Sequence, residues 1–193
     1  MHCLSLLCAA FAASAPAQIQ RQHGAHVHGE ATLDLALDGS QLSLTLNAPG
    51  MSFAGFEHAP HDDAERKTLA DTVTALKTPA GWLSLPSEAD CRLDSAKVEP
   101  HGFGSALAAE QNRHGGDAHP SEHDADADAR HEHSDFDADY RYVCAKPAAL
   151  HAFDLHLFER FPALHTLHVN LALPDRQDSA TLAPGETQVR LSP

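Results

Sequence analysis

One stretch near the middle of the chain contains no residue that builds an apolar core. Leu, Ile, Val, Met and Phe are all absent from residues 108–135, where Gly, Ala, Asp and His dominate. Such a composition buries too little apolar surface to offset the conformational entropy lost on folding. We therefore expect residues 101–134 to be a flexible His/Asp-rich insertion, disordered without metal. The apolar residues on either side of it then have to fold together.

Two segments before this insertion carry the two-residue period of a β-hairpin. Leu alternates with polar neighbours over residues 33–37 and again over residues 42–46, and Asp38-Gly39 lies between them. An Asp-Gly pair between alternating segments is a strong hairpin signal. A two-residue turn at Asp38-Gly39 places Leu35 opposite Leu42, with all the leucines on one face of the sheet.

The remaining patterns predict an α+β domain. Asp62 and Asp63 offer N-caps to a helix over residues 62–77, which Pro79 ends. Alternating residues predict strands at 90–98 and 135–145, and further strands around 153–157, 167–173 and 189–191. The expected fold is a mostly antiparallel β-sheet with one main helix and a disordered His/Asp-rich loop insertion.

The first residues predict export. Residues 3–13 form an uncharged apolar segment, and Ala15-Pro16-Ala17 fits a small-x-small cleavage site, so residues 1–17 are expected to be a signal peptide. The segment is shorter than the roughly 20 apolar residues that span a bilayer. We expect a periplasmic protein in which residues 18–193 form a single metal-binding domain.

Two cysteines, Cys91 and Cys144, remain beyond the signal peptide. An even number of cysteines in an exported protein predicts a disulfide. The alternative is that both thiolates bind metal, which is less favoured because neither cysteine belongs to a Cys-x-x-Cys unit. If strands 90–98 and 135–145 pair antiparallel with the cysteines opposite each other, the insertion becomes one long hairpin excursion.

The charge balance favours cations as partners. The formal net charge of −14 argues against binding of nucleic acid or anionic lipid, and the 16 histidines are the outlier in the composition. No other apolar stretch is long enough to insert into a membrane. The expected ligand is therefore a divalent transition metal.

Three groups of histidines are the candidate ligands. On an extended segment, His26 and His28 project to the same side. His58 and His61 precede the helix, with Glu57 and Asp62 as oxygen donors nearby, and the insertion carries histidines from His101 onward. Neutral imidazole with carboxylates suits zinc, copper and nickel alike. The expected metal ligands are His26, His28, His58, His131 and His133, with His23, His61, His114, His119 and His123 as secondary candidates. The remaining histidines of the C-terminal third are expected to be ordinary surface residues: His151, His156, His165 and His168.

Motifs of enzymes are few. His26-Val27-His28 resembles the His-Val-His of copper–zinc superoxide dismutases, but no Gly-rich stretch with His and Asp supplies the later ligands. The sequence has no His-Glu-x-x-His, no Gly-x-Ser-x-Gly and no Gly-rich phosphate loop. We expect a metal-binding protein rather than an enzyme, with a superoxide dismutase-like metalloenzyme as the less favoured alternative.

Several motifs in a fixed order carry a resemblance to a known family. They are His26-Val27-His28-Gly29-Glu30-Ala31-Thr32-Leu33, Gly55-Phe56-Glu57-His58-Ala59-Pro60, His131-Glu132-His133-Ser134-Asp135-Phe136, Tyr140-Arg141-Tyr142-Val143-Cys144 and Leu157-Phe158-Glu159-Arg160-Phe161-Pro162. Through them the chain resembles the ZrgA family of zinc-regulated, His-rich periplasmic proteins. The resemblance implies zinc as the bound metal and a zinc-uptake ABC transporter as partner. It extends a metal role to five residues only, His26, His28, His58, His131 and His133. A metal buffer or detoxification protein stays open as the alternative.

Overall fold

The structure, a computed structural model, describes residues 27–104 and 134–191. Alternation of apolar and polar residues makes β-strands the main elements of this part of the chain. The strands are β1 (Glu30–Asp38), β2 (Gln41–Pro49), β3 (Leu83–Ser84), β4 (Cys91–His101), β5 (Asp135–Cys144), β6 (Ala152–Leu155), β7 (Thr166–Ala172), β8 (Gln177–Leu182) and β9 (Gln188–Arg190). The helices are α1 (Gly50–Phe53), α2 (Asp63–Lys77) and α3 (Leu157–Arg160).

The strands form two sheets. The large sheet has six strands in the order β4-β5-β2-β1-β7-β8, and the small one has three in the order β3-β6-β9. Every neighbouring pair is antiparallel except β1 and β7, which run parallel. The predicted class, a mostly antiparallel sheet with one main helix, is confirmed.

The hairpin of β1 and β2 is present, but its predicted register is wrong. The turn lies at Gly39-Ser40 rather than Asp38-Gly39, so Leu35 faces Leu44 and Leu37 faces Leu42. Gly39 has a φ of 56°, which only glycine adopts at little cost and which the first central position of a type II′ turn requires. A register shift of two residues keeps every leucine on the same face, so the predicted buried face is right.

One face of the large sheet is buried against α2. Leu33, Leu35, Leu42, Leu44 and Leu46 are at most 2% exposed. Leu69 and Leu76 of the helix are fully buried, and the Tyr140 hydroxyl donates a hydrogen bond of 2.9 Å to the Leu76 carbonyl at the end of the helix. Burial raises the pKa of the Tyr140 phenol well above its ordinary value. The helix is therefore fixed to the sheet by apolar burial and by one directional bond.

Helix α2 begins where the sequence predicts a helix to begin. Asp62 is the N-cap, and its side chain accepts a hydrogen bond from the backbone N–H of Glu65. The helix ends at Lys77, before Pro79, whose ring has no N–H to donate. No helix in the described ranges is long and apolar enough to cross a membrane.

The two strands that flank the insertion form the predicted ladder. β4 and β5 pair antiparallel, with Cys91 directly opposite Cys144 at one end and His101 opposite Asp135 at the other. The cysteines form a disulfide. This prediction is confirmed. Residues 105–133, which carry most of the predicted insertion, lie outside the described residues, as do residues 1–26 and 192–193.

The fold extends further into the predicted insertion, residues 101–134, than the composition indicated. β4 continues to His101, and Phe103 is 2% exposed, with its ring 5.8 Å from that of Phe56 and 5.1 Å from that of Phe136. Ser134 is fully buried, and its carbonyl accepts a hydrogen bond from Gly50 N–H. β4 therefore runs beyond the predicted strand end at residue 98, and Phe103 packs into the core just after it.

Two parts of the C-terminal third differ from expectation. The apolar alternation after residue 153 ends at Leu155, because Leu157 begins the short helix α3. β8 is an additional strand that the sequence did not predict, since Leu182 alone among its residues is buried. It pairs as an edge strand with β7.

Oxidation of the cysteine pair gives a prediction for stability. In protein without residues 1–17, unfolded but not reduced, thiol titration should detect no free thiol. Replacing Cys91→Ala together with Cys144→Ala should lower the free energy of unfolding by roughly 4 kcal/mol, since the bond closes a loop with a sequence separation of 53. Urea unfolding measures the loss, and reduction of the unaltered protein is the control. Two titratable thiols in the untreated protein would contradict the disulfide.

Candidate metal centre

The start of α2 brings two imidazoles and one carboxylate together. His58, His61 and Glu65 each offer one ligand atom, and these atoms all lie within 4.8 Å of one another. Glu65 Oε2 is 3.9 Å from His58 Nδ1 and 3.8 Å from His61 Nδ1. We call these three residues the helix-entry cluster. Within residues 27–104 and 134–191, it is the one group of three or more such ligands.

The hydrogen bonds that begin the helix also position Glu65. Asp62 Oδ1 accepts the Glu65 N–H at 2.9 Å, and Glu65 Oε2 accepts the His61 N–H at 2.7 Å. This is a variant of the capping box, in which an acid at the third helical position folds back over the helix start. The carboxylate is therefore held beside the imidazoles by the cap itself.

Stacking holds the two imidazoles parallel. The ring centroids of His58 and His61 are 4.2 Å apart with an interplanar angle of 10°. The ring of Phe56, which is buried, also stacks with that of His58, at 5.2 Å. His58 Nδ1 also lies 3.1 Å from the carbonyl oxygen of Ala59. The same Nδ1 lies 3.9 Å from Glu65 Oε2, so an ion bound between these two atoms would replace the proton that Nδ1 can donate to Ala59.

The ligand set suits a transition metal such as zinc. Zinc binds histidine nitrogen and carboxylate oxygen at about 2.0–2.2 Å, which puts two ligands of a tetrahedral ion about 3.3 Å apart. The distances of 3.9 Å and 3.8 Å from Glu65 Oε2 to the two imidazole nitrogens are close to that value. The stacked imidazoles must turn toward a shared ion for both nitrogens to bind it. The side chains of His58 and His61 are 43% and 73% exposed, so an ion reaches the cluster directly from solvent.

His28 lies in a different group. Its Nε2 is 3.1 Å from Glu57 Oε2, and the glutamate side chain is 12% exposed. The backbone of this segment is fixed by Ser52, whose hydroxyl accepts from Gly29 N–H and donates to the Glu30 carbonyl. His28 lies in a turn, and its pairing with His26 on one metal ion stays a prediction. His26 lies outside the described residues.

The predicted oxygen donors also need correction. Glu57 pairs with His28 rather than with His58, and Asp62 caps the helix. The oxygen ligand beside His58 and His61 is Glu65, which the sequence analysis missed. Two signals in the sequence point to it: the capping spacing from Asp62 to Glu65 and the i, i+4 spacing from His61 to Glu65.

The other predicted histidines divide into two sets. His23, His114, His119, His123, His131 and His133 lie outside the described residues, and their metal roles stay predictions. His156 pairs with Glu159 at 3.5 Å, and His168 pairs with Glu30 at 3.3 Å and lies 3.4 Å from the Thr181 hydroxyl; in the described ranges neither histidine belongs to a group of three metal ligands. The residues on both sides of segment 105–133 lie close to the helix-entry cluster. A Cβ at Gly104 would be 3.2 Å from that of Ala59, and Ser134 bonds Gly50, which contacts Phe56.

Comparison with known proteins shows the family of the chain. A family model described as ZrgA family zinc uptake protein matches residues 25–191. The chain belongs to the ZrgA family. Membership gives this ZrgA-family chain a zinc-related role, where imidazole chemistry alone leaves zinc, copper and nickel open. A search of the curated proteins finds no match. The family is one of zinc uptake proteins and is not known as an enzyme family.

Glu65 provides a test of the cluster that leaves the helix intact. Glu65→Gln keeps an oxygen that accepts the His61 N–H but removes the charge that binds a cation. Zinc affinity of the tightest site should fall at least about tenfold, while the free energy of unfolding changes by less than about 0.5 kcal/mol. Calorimetric titration and urea unfolding measure the two quantities. Glu88→Gln, on an exposed glutamate of another segment, is the control. Equal zinc affinity in both variants would mean that Glu65 serves only the helix cap.

Proposed function

We propose that this chain is a periplasmic zinc-binding protein that supports zinc acquisition by capturing zinc for an ABC-type uptake system. The observation that carries the proposal is the helix-entry cluster, His58, His61 and Glu65, in a chain of a zinc uptake family. The cluster is the proposed tight site. Export through a signal peptide at residues 1–17 is part of the proposal.

Local charge favours a cation at the cluster. A helix N-terminus carries a partial positive charge, which by itself repels a metal ion. Here Asp62, Asp63 and Glu65 crowd the first turn and reverse that potential. The nearby cations are already engaged, since Arg66 pairs with Asp63 at 2.6 Å and Lys67 with Asp71 at 2.6 Å.

The cluster has one protein ligand fewer than a closed zinc site. This suits capture of a zinc ion followed by its release. Structural zinc sites are closed by four protein ligands, whereas sites with three protein ligands keep a position open for water or an incoming group. The helix-entry cluster offers three, on an exposed surface. A partner protein can therefore add a ligand of its own and take the ion over without first unfolding the site.

The proposed additional zinc-binding capacity comes from His28 with Glu57 and from the histidines outside the described residues. His131 and His133, which lie outside the described residues, are proposed as further zinc ligands; they precede Ser134, whose carbonyl accepts a hydrogen bond from Gly50 N–H. His23, His26, His114, His119 and His123 are proposed as weaker zinc ligands. No catalytic role is proposed. Transcript level under zinc starvation separates the two physiological roles, since induction supports acquisition and repression supports detoxification.

Two reciprocal changes test which histidines bind zinc tightly. His58→Ala with His61→Ala should abolish the tight phase of a calorimetric zinc titration and leave the weaker binding. Deletion of residues 105–129, closed by a short Gly/Ser linker, should lower the zinc stoichiometry and leave the tight phase. Shortening the loop changes its closure cost by only about 0.6 kcal/mol per halving, too little to unfold a domain of about 5–15 kcal/mol.

The matched control for the double replacement is His151→Ala with His156→Ala, two histidines outside the cluster. It should leave both phases unchanged. A tight phase that survives His58→Ala with His61→Ala but disappears on deletion of residues 105–129 would place the site in the insertion and exclude the helix-entry cluster.

A further inference from the structure

We infer that Phe103, the buried residue just after β4, is a positioning residue of the helix-entry cluster. It couples the end of the β4–β5 ladder to the zinc affinity of that cluster. Phe103 is not itself a ligand and acts on His58 through Phe56. The inference rests on the proposed function, because it concerns how the affinity of the same site is regulated.

The position of the His58 ring depends on packing. His58 lies in the loop before α2, and its side chain is 43% exposed. Its ring stacks with those of Phe56 and His61, at 5.2 Å and 4.2 Å. A histidine on a surface loop loses rotamer freedom when it binds a metal ion, and a stacking partner that is fixed beforehand removes part of that entropic cost. The placement of the Phe56 ring therefore affects zinc affinity.

Phe56 is in turn placed by Phe103. Both side chains are buried, and their ring centroids are 5.8 Å apart at an interplanar angle of 89°, which is an edge-to-face contact. The ring of Phe103 also lies 5.1 Å from that of Phe136 on β5. Phe136, Phe103, Phe56 and His58 therefore form one continuous row of ring contacts, which leads from the core of the large sheet to the zinc cluster.

Gly50 packs against the same row through its backbone. A Cβ at this residue would lie 2.7 Å from the ring of Phe103 and 2.6 Å from the carbonyl oxygen of Phe56, so only glycine allows both to approach this closely. The Gly50 N–H donates a hydrogen bond of 2.7 Å to the Ser134 carbonyl, just before β5. Close packing of this kind transmits a shift of Phe103 to Phe56.

The chain just after Phe103 also lies against the loop of the cluster. A Cβ at Gly104 would be 3.2 Å from that of Ala59, whose carbonyl oxygen is 3.1 Å from His58 Nδ1. The last pair at this end of the β4–β5 ladder is His101 with Asp135. Opening of the ladder end would therefore release the packing on which the His58 ring rests and lower the zinc affinity of the cluster.

Coupling between the ladder end and the zinc site acts in both directions. If zinc binds more tightly while Phe103 is packed, bound zinc stabilises the packed state by the same factor. The Gly50 N–H reports on this state, because its hydrogen bond to Ser134 lies beside the Phe103 ring. Hydrogen exchange of the Gly50 amide measures how often that bond opens.

Zinc titration of variants tests the row of rings in protein without residues 1–17. Phe103→Leu keeps an apolar side chain but removes the ring, and the zinc affinity of the tight phase should fall about three- to tenfold. Phe56→Leu should lower the affinity at least as much. When Phe103→Leu is added to Phe56→Leu, no further loss should follow, because Phe103 acts through Phe56.

The matched control is Phe153→Leu, at a buried phenylalanine of β6 in the small sheet. It should lower the free energy of unfolding, as Phe103→Leu does, and leave the zinc affinity of the folded protein unchanged. Urea unfolding establishes that each variant is folded during the titration. Equal zinc affinity in Phe103→Leu and Phe153→Leu would overturn the inference, and so would a further loss of affinity in the double variant.

Hydrogen exchange tests the coupling in the unaltered sequence. Saturating zinc should slow exchange of the Gly50 amide about three- to tenfold more than exchange of the β7 and β8 amides. Equal slowing at both places would overturn the inference. If the tight phase is then still lost in His58→Ala with His61→Ala, the proposed function stands without it. A tight phase that survives that double replacement would remove both.

Discussion

Burial of one face of the large sheet fixes where the candidate ligands lie. The leucines of β1 and β2 and the aromatic residues of β5 fill that face, and Leu69 and Leu76 of α2 complete it. The same packing, with the bond from Tyr140 to Leu76, holds α2 in place and with it the helix-entry cluster.

Local rules of the backbone then create the candidate metal-binding group. The capping bonds that start α2 bring the Glu65 carboxylate to His58 and His61. The group needs neither a long connection nor a buried charge. Glu65 lies on the helix and the two histidines lie in the loop before it, where the bond from His61 N–H to Glu65 and the stacking of the two imidazoles keep the ligand atoms near one another before an ion arrives. Preorganisation of this kind lowers the entropic cost of binding a metal ion. The solvent exposure of the ligands allows the bound ion to exchange.

Much of the fold follows from sequence because its signals are local. Period-two alternation predicts β1 and β2, Asp62 predicts the start of α2, and the even cysteine count predicts the disulfide. The hairpin register was wrong because turns at Asp38-Gly39 and Gly39-Ser40 bury the same leucines, so patterning does not distinguish them. β8 was missed because an exposed edge strand buries too few residues to show alternation.

The candidate site was less predictable, because it depends on side-chain direction. Spacing identified His58 and His61 but assigned Glu57 and Asp62 as oxygen donors, which lie with His28 and at the helix cap instead. Glu65 joins the two imidazoles because of the backbone geometry of the helix cap, and amino-acid composition carries no information on that geometry. His101 was grouped with the insertion because nothing in a His/Asp-rich segment marks where the ladder ends; burial of Phe103 decides it.

Anomalous X-ray diffraction at the zinc edge tests the central claim most directly. Crystals of the protein without residues 1–17, grown with one equivalent of zinc, should give their strongest anomalous peak within bonding distance of His58, His61 and Glu65, the residues whose ligand atoms already lie within 4.8 Å of one another. A strongest peak elsewhere, with these three side chains unliganded, would contradict the helix-entry cluster as the tight zinc site.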